Sequence, residues 1–335
     1  MDFPPRQRTR TSRGDSPMRV PREFDEPGWV EGEEPLEPPH EPDPGTPEET
    51  QIEYVEVVPG LGAPAPPPPR RRSETLMRVL WAIPLAIMAI TVVAIGGEVF
   101  AIAMVLFAAA GLTELFAMTA RARPFQLVAI AASTGMIAAA HFGDSFHMVL
   151  AGVAFFPVMF FAMVRRESLH GVTWSAAITV FGLIWIALPF AHAVLLRDLP
   201  LHGGALLVNV LVATIATDTF AYIGGRMFGR RQLAPAISPN KTVEGLVLGF
   251  IGGTMAFWFA GLYQDWLSGT DALLMGLAIA AIAPIGDLFE SALKRDLDVK
   301  DSGRIFGPHG GVLDRLDGVL FTVVAGYYLS LAIVY

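Results

Sequence analysis

The chain has 335 residues, 53% of them apolar, with a mean hydropathy of +0.47 and a formal net charge of −8. The absence of cysteine excludes disulfides and thiolate metal sites, and no nucleic-acid partner is expected of so apolar and acidic a chain. The averages hide a sharp break near residue 75.

Residues 1–74 carry 16 of the 32 acidic residues. Stretches such as "EGEEPLEPPHEPDPGTPEET" and "APAPPPP" show no apolar periodicity and read as a disordered Pro/Glu-rich tail. No apolar core follows its first basic residues, so it is not read as a secretory signal peptide. The tail supplies most of the net charge and says little about the rest.

From Val79 onward, apolar runs recur at the length a helix needs to cross about 30 Å of hydrocarbon. They fall near 79–96, 98–119, 125–142, 146–164, 172–195, 204–224, 245–264, 271–292 and 317–335. The expectation is an all-α integral membrane protein, a polytopic bundle of about nine transmembrane helices. Residues 75–200 would form an N-terminal group of helices and 201–335 a C-terminal catalytic region. Only "GGE" separates the first two runs, which requires a tight hairpin.

Lysine and arginine in the loops set the orientation. With the N-terminus in the cytoplasm, seventeen of these residues fall in inner loops and Arg197 alone in an outer one. The protein is therefore expected to be multi-pass in the cell membrane. Its acids then gather at one level: Glu114, Asp218, Glu244, Asp287, Glu290, Asp314 and Asp317 all fall at the cytoplasmic face. Ionisable groups within spans cost about 2.5–3.5 kcal/mol each on insertion scales, so they usually mark function.

Asp287, Glu290 and Ser291 are spaced i, i+3, i+4 on one helical face, and Asp314 and Asp317 are spaced i, i+3. Two such faces suit a hard cation that shares its oxygen ligands with substrate phosphates. The alternative is capping or ion pairing, which has most weight for Glu244 and Glu290.

Two inner loops carry the bases. In "GGRMFGRRQLAPAISPNKTVEG", Arg226 and Lys241 precede a helix expected at Thr242, a pattern that favours anions. Gly224 and Gly225 suggest backbone in close contact with a ligand. In "SALKRDLDVKDSGRIFGPHGGVLDRLDG", Lys294, Arg295, Lys300 and Arg304 can neutralise phosphates. The glycines of "GPHGG" allow positive φ and amides turned toward an anion. His309 has either a phosphate-binding, proton-shuttling or structural role. Acids for a metal beside bases for phosphates is the layout of metal-assisted phosphoryl or nucleotidyl transfer.

The last stretch resembles the signature of phosphatidate cytidylyltransferases (CDP-diacylglycerol synthases). Ser291, Lys294, Arg295, Lys300, Asp301, His309, Gly310, Gly311, Asp314, Arg315 and Asp317 match it, and "GDLFES", "TDTFAYIGGRMFG" and "SPNKTVEG" also look like that family. Val243 stands where the family often has tryptophan, and Gly318 where it commonly has serine. The specific resemblance covers about 205–320.

It implies that CTP and phosphatidic acid from the inner leaflet give CDP-diacylglycerol and pyrophosphate with Mg²⁺, at the cytoplasmic face. It implies Asp218, Asp287, Asp314 and Asp317 as metal ligands, with Asp287, Asp314, Lys294, Arg295, Lys300 and His309 as catalytic. Arg226, Lys241, Ser291, Arg304, Gly310, Gly311 and Arg315 would bind substrate, and a homodimer is possible. A CTP-dependent lipid-alcohol kinase, a cytidylyltransferase for another lipid phosphate, and a non-enzymatic transporter or scaffold are the alternatives.

Overall fold

The computed structural model describes residues 88–303 and 310–335. The tail over 1–74, the start of the first apolar run, Arg304 and His309 lie outside the described residues. Residues 88–95 are helical and are followed by α1 (Gly97–Met118), α2 (Gln126–Phe142), α3 (Ser145–Val164) and α4 (Val172–Arg197). The order continues with α5 (Gly203–Phe228), strands β1 (Gln232–Ala234) and β2 (Ser238–Thr242), then α6 (Val243–Gly261), α7 (Gly269–Asp296) and α8 (Leu313–Ile333).

Each expected apolar run thus coincides with a helix where its residues are described. Among the described residues, seven are long and apolar enough to cross a membrane, and α2, at 17 residues, is shorter. The protein is an all-α polytopic membrane protein. The antiparallel β1–β2 hairpin is the only sheet among the described residues.

Local chemistry accounts for the joints. The tight connection before α1 is made by Gly96 and Gly97 at φ 66° and 53°, a left-handed region that side chains disfavour. Arg197 Nε donates to Val93 O at 2.8 Å and ties that turn to the end of α4. Within α4 a π turn over Leu183–Ala187, in which the Leu188 N–H reaches Leu183 O, precedes Pro189. Proline has no N–H to give the preceding turn, and a widened turn is a common accommodation. The second half of α4 is the most buried part of the bundle, with Ile186, Ala187, Ala191, Val194 and Leu196 wholly enclosed. By contrast α3 exposes Phe156, Phe160 and Phe161, an apolar face suited to lipid.

Backbones approach most closely between α5 and α6. Gly245, Gly249 and Gly253 recur every four residues on the α6 face toward α5. A Cβ at Gly245 would fall 2.6 Å from Ala221 O, and one at Gly249 would fall 2.7 Å from Thr217 O. Hydrocarbon offers helices no hydrophobic drive to associate, so small residues that let backbones touch supply the packing instead. Gly224 and Gly225 belong to the same seam, against Leu248 and Thr242. Their smallness therefore has a cause in helix packing, which corrects the ligand-contact reading made from the sequence.

The C-terminal ends of α1, α5 and α7 and the N-terminal ends of α6 and α8 meet at one end of the bundle. The opposite end is closed by Asn209–Gln264 amide bonds at 3.1 Å and by His141 against Asp198 at 2.6 Å.

Gly249→Leu is expected to lower stability in detergent by about 1–3 kcal/mol through overpacking. Ile251→Leu, on the same helix but half exposed, should stay within about 0.5 kcal/mol. Thermal unfolding of the two purified variants checks this.

Candidate active site

The site is assembled where α7 crosses α8. Gly286 sets the spacing: a Cβ there would fall 3.0 Å from Gly318 Cα and would collide with Asp317 O. Because two glycines make the crossing point, their neighbours Asp287 and Asp317 are brought together. Asp317 is close enough to Asp287 and Glu290, and Asp218 of α5 to Asp287 and Asp317, for their charges to act on one another.

Two lysines enter this cluster from different directions. Lys241, on β2, brings Nζ to 2.5 Å from Asp287 Oδ2. That nitrogen is shielded from solvent and has no partner in hydrogen-bond geometry among the described residues. An ammonium has three N–H donors, so donors remain for a further anion. Lys294, one turn past Glu290 on α7, lies 3.2 Å from Glu290 Oε1 and donates to Asp314 Oδ1 at 2.7 Å. Glu290 is only 1% exposed, so Lys294 is the cation beside an otherwise unsolvated carboxylate.

The hairpin that delivers Lys241 is held at three points. Glu244 Oε2 accepts the backbone N–H groups of Arg230 and Arg231 at 3.0 and 3.2 Å, so its carboxylate is used to close the loop. Arg295 Nε donates to Ile237 O at 3.2 Å and fastens the hairpin tip to α7. Thr242 caps α6 through Oγ1, which accepts the Gly245 N–H at 3.1 Å, at the residue where the sequence pattern starts the helix.

Asp314 organises the signature loop. Its Oδ2 accepts the N–H groups of Ser302 and Gly311, each at 2.9 Å, and Gly310 beside it takes φ 85°. The positive φ expected of this glycine run is present at that residue. Ser291 Oγ lies 3.5 Å from Asp287 Oδ1. Arg226 donates to Tyr222 OH at 3.2 Å on the exposed side of α5, and Lys300 is exposed. Arg315 is exposed beside Asp314 at the start of α8.

The structure therefore brings Asp218, Asp287, Glu290, Asp314, Asp317, Lys241 and Lys294 together, with Arg295 tying the hairpin to α7; no contact joins Arg226 or Lys300 to this cluster among the described residues. Five carboxylates stand against two ammonium groups in the core of this cluster, an oxygen-rich donor set that suits a hard cation. Among the described residues no three acidic or histidine side chains are disposed to hold an ion unaided. The set fits Mg²⁺ on the condition that substrate phosphates complete its shell, which is how that ion is commonly bound.

Glu114 and Ser302 were not singled out for the site from the sequence. The signal for Glu114 is a carboxylate within a 22-residue apolar helix. Nothing in the local pattern around Ser302 distinguishes it.

A family model described as "Cytidylyltransferase family" matches residues 76–333. The chain belongs to the cytidylyltransferase family. Phosphatidate cytidylyltransferase of Mycobacterium leprae (strain TN) is 36% identical over 167 residues, 48% of this chain and 53% of the relative. The Bacillus subtilis (strain 168) protein of the same name is 41% identical over 147 residues, 44% of this chain and 55% of the relative. Uncharacterized protein YnbB of Escherichia coli (strain K12) is 40% identical over 166 residues, 48% of this chain and 53% of the relative. The chain spans about half the length of the curated relatives it matches.

Lys294→Met leaves Glu290 and Asp314 without their shared cation, and removing one partner of a buried pair costs about 3–5 kcal/mol. The double variant Lys294→Met/Glu290→Gln should recover part of that loss. Denaturation midpoints of both proteins in one detergent measure the difference.

Proposed function

We propose that this cytidylyltransferase acts on phosphatidic acid, converting it with CTP to CDP-diacylglycerol and pyrophosphate. The observation that carries the reading is the meeting of Lys241–Asp287 and Lys294–Asp314 at one end of the bundle. There, carboxylates for a cation and ammonium groups for phosphates come from four separate segments. The names of the Mycobacterium leprae and Bacillus subtilis relatives support the choice of lipid.

In this reading a phosphate oxygen of the lipid attacks the α-phosphorus of CTP. A P–O bond forms there as the bond to the bridging oxygen of the β-phosphate breaks, and the electron pair leaves with pyrophosphate. A phosphate oxygen is already anionic, so no general base is required. Both substrates are polyanions, and their repulsion must be screened before attack. Lys241, Lys294, Arg295 and Lys300 do this by binding phosphates, assisted by Arg226, Arg315 and the backbone of Gly310, and Arg304 is assigned the same task from the sequence alone; the Gly311 N–H is already given to Asp314. Asp218, Asp287 and Asp317 would hold Mg²⁺, which when bound neutralises charge on the triphosphate. Asp314 joins them only by exchanging Lys294 and otherwise keeps the loop in place. Ser291 steadies Asp287, and a role for His309 in binding phosphate or moving a proton is part of the same proposal on sequence grounds alone.

In this proposal 201–335 carries the chemistry and 75–200 supports it. The excess of lysine and arginine in alternate loops supports a cytoplasmic active site in the cell membrane.

Purified protein with Mg²⁺, phosphatidic acid and CTP labelled at the α-phosphate should yield labelled liponucleotide. Label transferred instead from γ-labelled CTP to a lipid alcohol would identify a kinase, and no turnover would leave a transporter or scaffold. Asp287→Asn and chelation of divalent ions should each abolish liponucleotide formation. Retention of near-normal turnover by Asp287→Asn would sink that residue's assignment.

The cysteine-free chain makes topology directly testable. Lys300→Cys should react with a membrane-impermeant maleimide only after the cytoplasmic side is opened, whereas Leu201→Cys should react in intact cells.

A further inference from the structure

One buried acid has no task in this reaction. Glu114 lies one turn from the end of α1 and is only 4% exposed. Its Oε1 accepts the N–H of Val312 at 2.9 Å, and its Oε2 accepts the N–H of Leu313 at 3.0 Å. These are the amides that open α8, and Val312, the residue that precedes the helix, provides no side-chain cap. A carboxylate from a helix almost two hundred positions earlier does the capping instead, and a negative charge at a helix N-terminus is favourable.

The same carboxylate reaches the other strand of the loop. Ser302 Oγ lies 3.0 Å from Glu114 Oε2 and 3.0 Å from Asp314 Oδ2. A hydroxyl carries one proton, so the two carboxylates share it. Gly303 and Gly311 are folded tightly against Glu114: a Cβ at Gly303 would fall 2.5 Å from Oε1, and one at Gly311 would collide with Oε2. A buried carboxylate is costly unless hydrogen bonds satisfy it, and those that satisfy Glu114 come from the signature loop and the opening of α8. Packing alone would not call for this residue.

We propose that Glu114 is the positioning residue for the signature loop. It holds Ser302 and the start of α8 in one register, and so keeps Asp314 on Lys294 and Lys294 on Glu290. Glu114 itself touches neither substrate. It acts through Asp314, and it makes the N-terminal helices part of the catalytic geometry. The proposal rests on the cytidylyltransferase reading for its kinetic consequence, but its structural consequence is independent of it.

Glu114→Gln keeps the shape and replaces one acceptor oxygen with an NH₂ that opposes an amide N–H. A misplacement of about 1 Å is enough to lower turnover on the order of 10²-fold. The expected result is a loss of that size in kcat for liponucleotide formation, with KM for CTP unchanged. Amide hydrogen exchange across 297–303 and 311–318 should be faster than in the wild type, with 98–110 unaffected. Wild-type kcat, or unaltered exchange across those two segments, overturns the proposal. If the wild-type protein makes no liponucleotide, the functional reading fails and the exchange data alone decide the positioning role.

Ser302→Ala carries the test should Glu114→Gln not fold, because it removes only the shared hydroxyl. A fall in kcat of about 10-fold at an unchanged melting temperature supports the proposal. An unchanged kcat overturns it.

Discussion

The interaction on which the rest depends is Lys294 held between Glu290 and Asp314. The charged form of a carboxyl as enclosed as Glu290 depends on a cation beside it, and that cation also donates to Asp314 at 2.7 Å. Asp314 is in place because Ser302 and Gly311 give it their amides, and those segments are in place because Glu114 receives the start of α8. Removing any member strands a charge in a low-dielectric site. The cluster is therefore costly in stability terms, and a protein seeking stability alone would fill the space with apolar side chains.

Small residues decide where those charges sit. Lipid cannot push helices together, so close contact is made by backbone against backbone. The Gly245–Gly249–Gly253 seam fixes α6 on α5, which aims the β hairpin and Lys241 toward α7. The Gly286–Gly318 crossing does the same for α7 and α8, and sets Asp287 beside Asp317. Gly318 is where serine is common in phosphatidate cytidylyltransferases. Here a Cβ would fall 3.3 Å from Ala283 O and 3.4 Å from Thr214 Cγ2, a close fit that a serine meets with a shift of a few tenths of an ångström, so the crossing demands glycine at 286 and not at 318.

Much of this was legible in the sequence, because hydropathy and the spacing of acids are local properties. The apolar runs are helices wherever residues are described, and Asp287, Glu290 and Ser291 share a face of α7, as Asp314 and Asp317 share one of α8, because i, i+3 and i, i+4 spacing requires it. The partners were not legible. Nothing local assigns Lys241 to Asp287, or Glu114 to amides about two hundred residues away, since both depend on how helices dock. The glycines of 224–225 show the ambiguity: smallness reads equally as room for a ligand or for a neighbouring helix, and only the position of Leu248 separates them. The β hairpin was hidden for a similar reason, because two short strands inside a basic loop leave no periodic trace.

Helix length explains why the chemistry sits at this depth. At a rise of 1.5 Å per residue, the 28 residues of α7 extend roughly 42 Å, about 12 Å more than the hydrocarbon core. The polar stretch beyond Asp287 lies within that excess, which in the proposed orientation carries Glu290, Lys294 and Arg295 toward the level of lipid headgroups. The 26 residues of α5 extend about 39 Å and carry Arg226 to a comparable height. In the proposed reading that is the level at which a lipid phosphate meets a water-soluble nucleotide without its acyl chains leaving the bilayer. An active site deeper in the bundle would have to desolvate several phosphate charges, and one farther out would have to extract the lipid. Over-long helices whose last turns carry the charges avoid both costs.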